Sequence, residues 1–199
     1  SDLQSLLRKA AAKSFNCICV DNDMSTNDTM LCLANGASGV NITPGSDDEQ
    51  KFSDALTKIC IAMAQALVRD GEGATKFIEI TVTGAADDAE ARTIAGSIAK
   101  SQLCKTAFYG QDANWGRIAC AAGYSGATFN PAALDLHIQD IHVLKAGQPT
   151  TYSEEKIQEL MKEKEIKIVL TLHEGTGSAI FWTSDLSLDY VKINADYRT

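Results

Sequence analysis

The sequence predicts a mixed fold of helices and strands, in an α/β or α+β arrangement. Two observations predict it. Apolar residues recur with the period of an amphipathic helix, most clearly over residues 47–68. Elsewhere, short β-branched runs alternate with polar residues, as in half-buried strands, for example over residues 166–172. The length of 199 residues suits one large domain or two small ones.

The first part of the chain reads as helix, strand, turn, strand and helix. Helical spacing predicts a helix over residues 2–13, before the long helix at 47–68. Between them, β-prone residues predict strands over 15–20 and 30–34. The segment that separates these strands, 21–29, is nearly all polar and predicts a turn.

The rest of the chain alternates between the two kinds of element. Acidic residues at the start of the predicted helix over 87–101 suit the helix dipole. The other predicted helices span 114–124 and 154–164, and the predicted strands span 77–82, 134–138, 141–144, 166–172, 179–184 and 190–194. A boundary at residues 84–86 would divide the chain into domains 1–84 and 85–199.

The composition argues against several classes of function. Asp and Glu outnumber Lys and Arg by 26 to 18, and a phosphate-backbone binder needs a basic face, so we expect no nucleic-acid partner. No apolar run is long enough to span a bilayer, and the first residues lack the features of a signal peptide. We therefore expect no membrane partner.

The cysteines and histidines indicate neither a redox centre nor a metal centre. None of the six cysteines forms a C-x-x-C pair, and the three histidines have no zinc-like spacing. An even number of cysteines would allow three disulfides, but the long chain with a full core favours buried, reduced thiols. We expect no metal and no bound cofactor.

One carboxylate stands out as a candidate functional group. Glu72 lies between Gly71 and Gly73, directly after the long predicted helix. The two glycines fit a helix C-cap and a tight turn, but a carboxylate between glycines can also approach a ligand closely. Both interpretations stay open, and the G-x-x-x-x-G-K pattern of a P-loop is absent.

Four other polar segments have two interpretations each. Residues 25–29 form a hydrogen-bonded turn or a network that braces a site. Asn114 is an N-cap, or it helps a helix N-terminus and Arg117 to bind an anion. The segment 173–178, which begins His-Glu, is a glycine-rich hairpin or carries an acid–base pair. The terminal residues 194–199 are a frayed end of the chain, or the preceding predicted strand holds them at a fixed position.

Together, four separated motifs resemble the glutamate N-acetyltransferase family, also called the ornithine acetyltransferase or ArgJ family. Residues 20–29, V-D-N-D-M-S-T-N-D-T, are similar to its V-D-G-D-T-S-T-N-D-T signature. Residues 69–76 match its R-D-G-E-G-A-T-K motif, and residues 114–117 and 189–199 match as well. The resemblance spans almost the whole chain.

The resemblance implies one half of a self-cleaving enzyme. Family members cleave before a threonine, which becomes the first residue of the β chain and the acetyl-accepting nucleophile. This sequence resembles a β chain but opens at Ser1, so we expect the catalytic threonine upstream of Ser1 and no catalytic residue in these residues. The oxyanion-hole and lysine positions of the family lie in the α chain. The implied reaction moves acetyl from N-acetylornithine to glutamate, and some members also use acetyl-CoA as the acetyl donor.

The resemblance also implies roles for individual residues. Glu72, Asn194 and Thr199 match substrate-binding positions. A surrounding set of polar residues would support them: Thr26, Asn27, Asp28, Asn114 and Arg117. The implied fold is an α-β-β-α sandwich shared with the α chain, followed by a smaller C-terminal α/β domain whose tail returns to the active site.

The expected partners are the α chain from the same precursor, further αβ copies in a heterotetramer, and the two small substrates. The expected location is the bacterial cytoplasm, or the mitochondrial matrix of a eukaryote. Two alternatives stay open: a related self-cleaving aminopeptidase, and an inert structural subunit without its nucleophile.

Overall fold

The structure, a computed structural model, describes residues 3–196. Its helices are α1 (Leu3–Ala12), α2 (Asp47–Arg69), α3 (Asp88–Lys100), α4 (Gln102–Tyr109), α5 (Trp115–Gly123), α6 (Glu154–Leu160) and α7 (Leu188–Asp196). Its strands are β1 (Ile18–Cys19), β2 (Phe77–Ala85), β3 (Asp135–Ile138), β4 (Ile141–Lys145), β5 (Gln148–Pro149), β6 (Glu165–Thr171) and β7 (Gly177–Ser184). Short 3-10 turns at Phe15–Cys17 and Pro131–Ala133 complete the described elements.

These strands form one mixed sheet in the order β1-β7-β2-β6-β3-β4-β5. The central strand β2 pairs parallel with β6 and antiparallel with β7, and β1 pairs parallel with β7. The mixed α/β class is therefore confirmed. The sheet contains strands from both sides of residues 84–86. The division into 1–84 and 85–199 and the sandwich shared with an α chain stay predictions.

The core lies on one face of the sheet, where apolar residues of β2 and β6 are in register. Ile78, Ile80 and Val82 pair with Ile166, Ile168 and Leu170, and all six are fully buried. Helix α3 covers β2 and β7. Burial of each such side chain contributes about 1.5–3 kcal/mol to folding, so this layer fixes the position of the strand ends that carry the polar segments.

Helix α2 leads the chain to one of these segments. The Ser46 hydroxyl accepts a hydrogen bond from the Glu49 amide and caps its start. The helix buries Cys60, Ala64 and Val68, whereas apolar side chains on its other side stay exposed. The predicted helix over 47–68 is confirmed, and the residues that follow it carry Glu72.

Two predicted strands in the first part of the chain are wrong or shortened. Residues 20–46 contain no helix or strand, and Leu31 and Leu33 are 77% and 91% exposed, so the strand predicted over 30–34 is absent. A strand needs a neighbouring backbone to pair with, and the described residues offer none there. The strand predicted over 15–20 reduces to a 3-10 turn and the two-residue β1.

Two further predictions are wrong in the second part, and one helix there was not predicted. The segment 190–194, predicted as a strand, is helical and belongs to α7. Helix α4 was not predicted, although the Ser101 hydroxyl caps it by accepting from the Cys104 amide. The segment 173–178 is not a hairpin, because β2 lies between β6 and β7.

Candidate active site

Two of the three predicted substrate-binding residues contact each other. The side-chain amide of Asn194 donates to Oε2 of Glu72 over 2.8 Å and to the Tyr190 carbonyl over 3.0 Å. Both side chains belong to exposed residues. The fold thus joins segments 122 residues apart in sequence. The third predicted residue, Thr199, lies outside the described residues.

The loop that carries Glu72 contains the predicted tight turn at its glycines, whereas the C-cap of α2 is Asp70 and not a glycine. The Ala74 amide donates to the Gly71 carbonyl over 3.0 Å, which closes the turn. Gly73 has a φ of +64°, and a Cβ there would lie 2.8 Å from the Ser187 hydroxyl and 2.9 Å from the Tyr190 Cα. Only glycine permits both this backbone conformation and so close an approach of α7.

A buried carboxylate fixes the other end of the loop. Asp185, only 3% exposed, accepts hydrogen bonds from the Thr75 amide over 2.8 Å, the Thr75 hydroxyl over 2.5 Å and the Lys76 amide over 3.0 Å. The Lys76 ammonium is buried and donates to the carbonyls of Met161 and Glu163, each over 2.8 Å. Burial lowers the pKa of Lys76, although the charges of Asp185 and Glu163 oppose this.

The polar segment after β1 reaches the same place. The Tyr190 hydroxyl donates to Oδ2 of Asp21 over 3.0 Å. Burial raises the pKa of Tyr190 to about 12, and the hydrogen bond and negative charge of Asp21 and the charges of Asp23 and Glu72 act in the same direction. Tyr190 therefore stays a neutral donor, and it links the first residue of segment 21–29 to the C-terminal helix.

The structure does not bring the rest of that segment to Glu72. Thr26, Asn27 and Asp28 are exposed. The Ser25 hydroxyl accepts from the Asn27 amide over 3.4 Å and the Asp28 amide over 3.2 Å, which makes a local turn. Asp28 lines a groove of about 1140 Å³ between this segment and α3.

Asn114 and Arg117 join two helices. The Asn114 side chain accepts from the Arg117 amide over 3.1 Å, so the N-cap interpretation is correct. The Arg117 guanidinium donates to the Leu103 carbonyl over 2.9 Å and to the Thr106 hydroxyl over 3.4 Å, which ties α5 to α4. Neither contacts Glu72 or Asn194 in the described structure.

The proposed acid–base pair in segment 173–178 does not form. Nε2 of His173 bonds Oδ2 of Asp135 over 3.0 Å, and Glu174 accepts instead from the Asn130 amide over 2.6 Å. The two neighbouring side chains therefore serve different partners.

One buried cation, Lys105, was not predicted from the sequence. The Lys105 ammonium donates to the Thr183 hydroxyl over 2.9 Å, to the Ser184 carbonyl and to the Ser184 hydroxyl over 3.3 Å. Burial lowers the pKa of Lys105 to about 8, against the opposing effect of Cys19, Asp185 and Asp21. Lys105 thereby anchors the end of β7 directly before Asp185. No sequence motif signals either residue, because lysine and aspartate are ordinarily exposed.

In residues 3–196 no group of three or more His, Cys, Asp or Glu side chains is arranged to hold a metal ion. None of the described helices is long and apolar enough to cross a membrane. All six cysteines are free thiols; Cys17, Cys19, Cys60 and Cys104 are buried, whereas Cys32 is half-buried and Cys120 is exposed.

Comparison with known proteins decides the family. A sequence profile described as the ArgJ family matches residues 1–199. The chain belongs to the ArgJ family. The alternatives of a related aminopeptidase and an inert subunit receive no support from this match.

Named ArgJ relatives are similar along the whole chain. The arginine biosynthesis bifunctional protein ArgJ of Symbiobacterium thermophilum is 47% identical over 198 residues, which is 99% of this chain and 49% of that protein. The protein of the same name from Chlorobium chlorochromatii is 49% identical over 197 residues, 99% of this chain and 46% of its own length. A mitochondrial ArgJ of Schizosaccharomyces japonicus is 45% identical over 204 residues, 99% of this chain and 47% of its own length. The chain thus spans about half the length of these relatives.

A solved ArgJ structure has the same fold. The crystal structure of the arginine biosynthesis bifunctional protein ArgJ from Bacillus halodurans superimposes with a TM-score of 0.94 at 47% identity. The match covers 98% of this chain and 92% of the crystallised chain. At this level of similarity the sheet order and helix positions described above are those of an ArgJ protein.

Proposed function

We propose that this chain is the β chain of an ArgJ acetyltransferase, which moves acetyl from N-acetylornithine to glutamate through an acetyl-threonine intermediate. The observation that carries the proposal is the contact between Glu72 and Asn194, because it unites two motifs of the family on one exposed surface. The threonine nucleophile would lie upstream of Ser1 in the full-length protein.

Coverage of the relatives supports a precursor cut into two chains. The Symbiobacterium relative is about twice as long as this chain, of which 99% matches 49% of that protein. The crystallised ArgJ chain, in contrast, is covered to 92%. One ArgJ protein has therefore been crystallised with a chain of about half the usual length, as cleavage before the threonine would produce.

An exposed apolar surface supports the α chain as partner. Leu31 and Leu33, in the segment predicted to be a strand, are 77% and 91% exposed, and Ile59, Met63 and Leu67 of α2 are 59%, 55% and 53% exposed. Apolar patches of this kind mark interaction sites. The α chain would supply the missing backbone partner for residues 30–34 and cover α2. Further αβ copies would then assemble into the heterotetramer.

The proposed chemistry has two steps. The threonine hydroxyl attacks the acetyl carbonyl of N-acetylornithine, its proton passing to the threonine's own α-amino group. The amine of ornithine leaves with a proton, and acetyl stays on the threonine oxygen. The amine of glutamate then attacks this ester, which releases N-acetylglutamate and the free hydroxyl. Oxyanion donors in the α chain would stabilise both tetrahedral states, each key donor by roughly 3–4 kcal/mol.

The residues of this chain would bind and orient the substrates. Glu72 would receive a substrate ammonium, and its exposed carboxylate is held at one oxygen by Asn194. Asn194 and Thr199 would hold the polar ends of the substrate backbone. The supporting role proposed for Thr26, Asn27, Asp28, Asn114 and Arg117 would be indirect, through the loop after β1 and the packing of α5.

Replacement of Glu72 tests the substrate role. We expect Glu72→Gln in the full-length protein to lower acetyl transfer about ten- to a hundredfold, because a hydrogen bond to a charged group contributes about 1.5–3 kcal/mol. Initial rates with N-acetylornithine and glutamate, together with melting temperatures, are the measurements. The control is Glu155→Gln, an exposed carboxylate of α6. Near-normal kinetics for Glu72→Gln would contradict the role.

Intact mass tests the mechanism. We expect two polypeptides from the full-length protein, and a gain of one acetyl mass on the chain that begins with threonine after incubation with N-acetylornithine. An uncut protein, or one that gains no mass, would refute the acetyl-threonine pathway. The same measurement with acetyl-CoA tests whether it serves as a second acetyl donor. The proposed reaction uses no bound cofactor. Cell fractionation would test the proposed cytoplasmic or mitochondrial location.

A further inference from the structure

We infer that Tyr190 is a positioning residue that holds the Glu72–Asn194 pair in its binding geometry. The inference rests on the proposed function and adds to it a residue that does not itself touch substrate. The side chain and backbone of Tyr190 connect the three polar segments of the candidate site, which are the segment after β1, the loop that carries Glu72 and the helix that carries Asn194.

Tyr190 makes three connections. Its hydroxyl donates to Asp21 over 3.0 Å, and its carbonyl accepts from the Asn194 side chain over 3.0 Å. Its amide donates to the Ser187 hydroxyl over 3.1 Å, and that hydroxyl donates to the Gly73 carbonyl over 2.6 Å. Asn194 and the loop that carries Glu72 are thus tied to the same residue.

Apolar packing does not fix the rotation of helix α7. No residue of α7 is fully buried: Tyr190 is half-buried, and Leu188 and Val191 are 65% and 57% exposed. Tyr190 and Asn194 are four residues apart and so lie on the same face of the helix. The bond from the Tyr190 hydroxyl to Asp21, together with the Ser187–Gly73 bond, therefore holds the angle at which Asn194 meets Glu72.

The hydrogen bond from the Tyr190 hydroxyl to Asp21 is expected to persist across the physiological pH range. Burial and the neighbouring Asp21 raise the pKa of Tyr190 to about 12, so the hydroxyl keeps its proton across the physiological range. A phenol that donates to an ionised carboxylate makes a charge-assisted bond, which is stronger than a neutral one.

A positioning role and a purely structural role predict different kinetics. Misplaced binding groups weaken the binding of substrate and transition state alike, which raises KM and leaves kcat unchanged. A contact that matters only for folding lowers the amount of active enzyme, which lowers the apparent kcat and leaves KM unchanged. The two parameters therefore separate the roles.

The experiment measures Tyr190→Phe in the full-length, cleaved protein. We expect KM for glutamate or N-acetylornithine to rise about tenfold, as loss of a hydrogen bond to a charged group predicts, with kcat per folded enzyme within about twofold. Tyr152→Phe is the matched control, because the Tyr152 hydroxyl is also partly buried and hydrogen-bonded, to Trp115 and Glu154. An unchanged KM for Tyr190→Phe would overturn the inference.

A double-mutant cycle with Asp21→Ala tests the route of the effect. Asp21 also accepts from the Asp23 amide over 2.9 Å, and the cycle removes that separate contribution. We expect the double variant to raise KM no more than the larger single change does. Fully additive effects would overturn the inference. If Tyr190→Phe does not accumulate as folded enzyme, the KM of Asp21→Ala decides in the same way.

Failure of the inference is distinguishable from failure of the proposed function. If the wild-type protein transfers no acetyl group, the proposed function fails. If the wild-type protein is active and Glu72→Gln lowers transfer while Tyr190→Phe keeps a normal KM, only the positioning role fails.

Discussion

Removal of the Asp185 carboxylate should release the loop that carries Glu72. Asp185 accepts from two backbone amides, those of Thr75 and Lys76, and from the Thr75 hydroxyl. Its charge also lies near the buried ammonium groups of Lys76 and Lys105. In Asp185→Ala these three donors lose their acceptor, and two buried cations lose a neighbouring anion.

The expected magnitude follows from these contacts. Two hydrogen bonds from amides to a charged acceptor contribute about 1.5–3 kcal/mol each, so local opening becomes easier by about 3 kcal/mol or more. Since 1.4 kcal/mol is a factor of ten, amide exchange over residues 71–77 should accelerate at least about a hundredfold. Acetyl transfer should fall with it, because Glu72 loses its fixed position.

Hydrogen–deuterium exchange followed by mass spectrometry on the full-length protein measures this effect. The matched control is Asp189→Ala, because Asp189 is exposed and makes only a surface ion pair with Lys192 over 3.0 Å. Such pairs contribute little. Exchange over residues 71–77 that stays within twofold of wild type in Asp185→Ala would refute the reasoning.

Three further predictions concern the same framework. Gly73→Ala should lower the melting temperature more than Gly126→Ala, because both have positive φ but only at Gly73 would a Cβ meet neighbouring atoms; equal shifts would contradict this. Lys105→Met should flatten the pH dependence of the free energy of unfolding. Burial lowers the pKa of Lys105 to about 8, so between pH 8 and pH 10.5 only the folded state has lost this proton. Over this range the free energy of unfolding of the wild type should therefore rise by about 3 kcal/mol relative to that of the variant. Parallel curves in denaturant titrations would refute it. Asn114→Ala should cost about 1 kcal/mol as a lost N-cap, seen in melting curves, and a loss of acetyl transfer beyond that of an equally destabilised variant would support its supporting role.

Most of the fold was predictable because local sequence and tertiary structure agree. Helix α2 has a Ser46 cap, acidic residues in its first turn and an apolar face that meets the core. Strands β2 and β6 alternate buried and less buried positions as the sequence pattern predicts. In these elements no distant partner was needed to decide between helix and strand.

The failures occur where the partner is distant or missing. Residues 30–34 have the composition of a strand, but no described backbone lies beside them. Residues 190–194 are helical because Ser187, three residues before Tyr190, supplies a cap and binds the Gly73 loop, a contact 114 residues away in sequence. The Ser187 cap is a local signal, but no local pattern indicates the contact with the Gly73 loop.

The candidate site was also predictable only in part, because some of its residues depend on contacts between distant segments. The resemblance to a family singled out Glu72 and Asn194, which the structure joins. Asp185, Tyr190 and Lys105 act through contacts between distant segments and belong to residue types that are usually exposed or simply packed. Their roles become visible only once β7 and α7 are placed beside the loop after α2.

The pairing of β1 with β7 has a consequence for biosynthesis. Ile18 and Cys19 pair with Trp182 and Thr183, and Asp21 binds Tyr190 across 169 residues of sequence. At about 5–20 residues per second of translation, the residues near the start of this chain wait many seconds for the strand and helix that hold them. Because closing so long a loop must precede any gain from the contact, this surface can assemble only once β7 and α7 have been synthesised. Until then β1 and the edge of β2 that pairs with β7 have no partner strand, and unpaired edges of this kind are prone to wrong pairing.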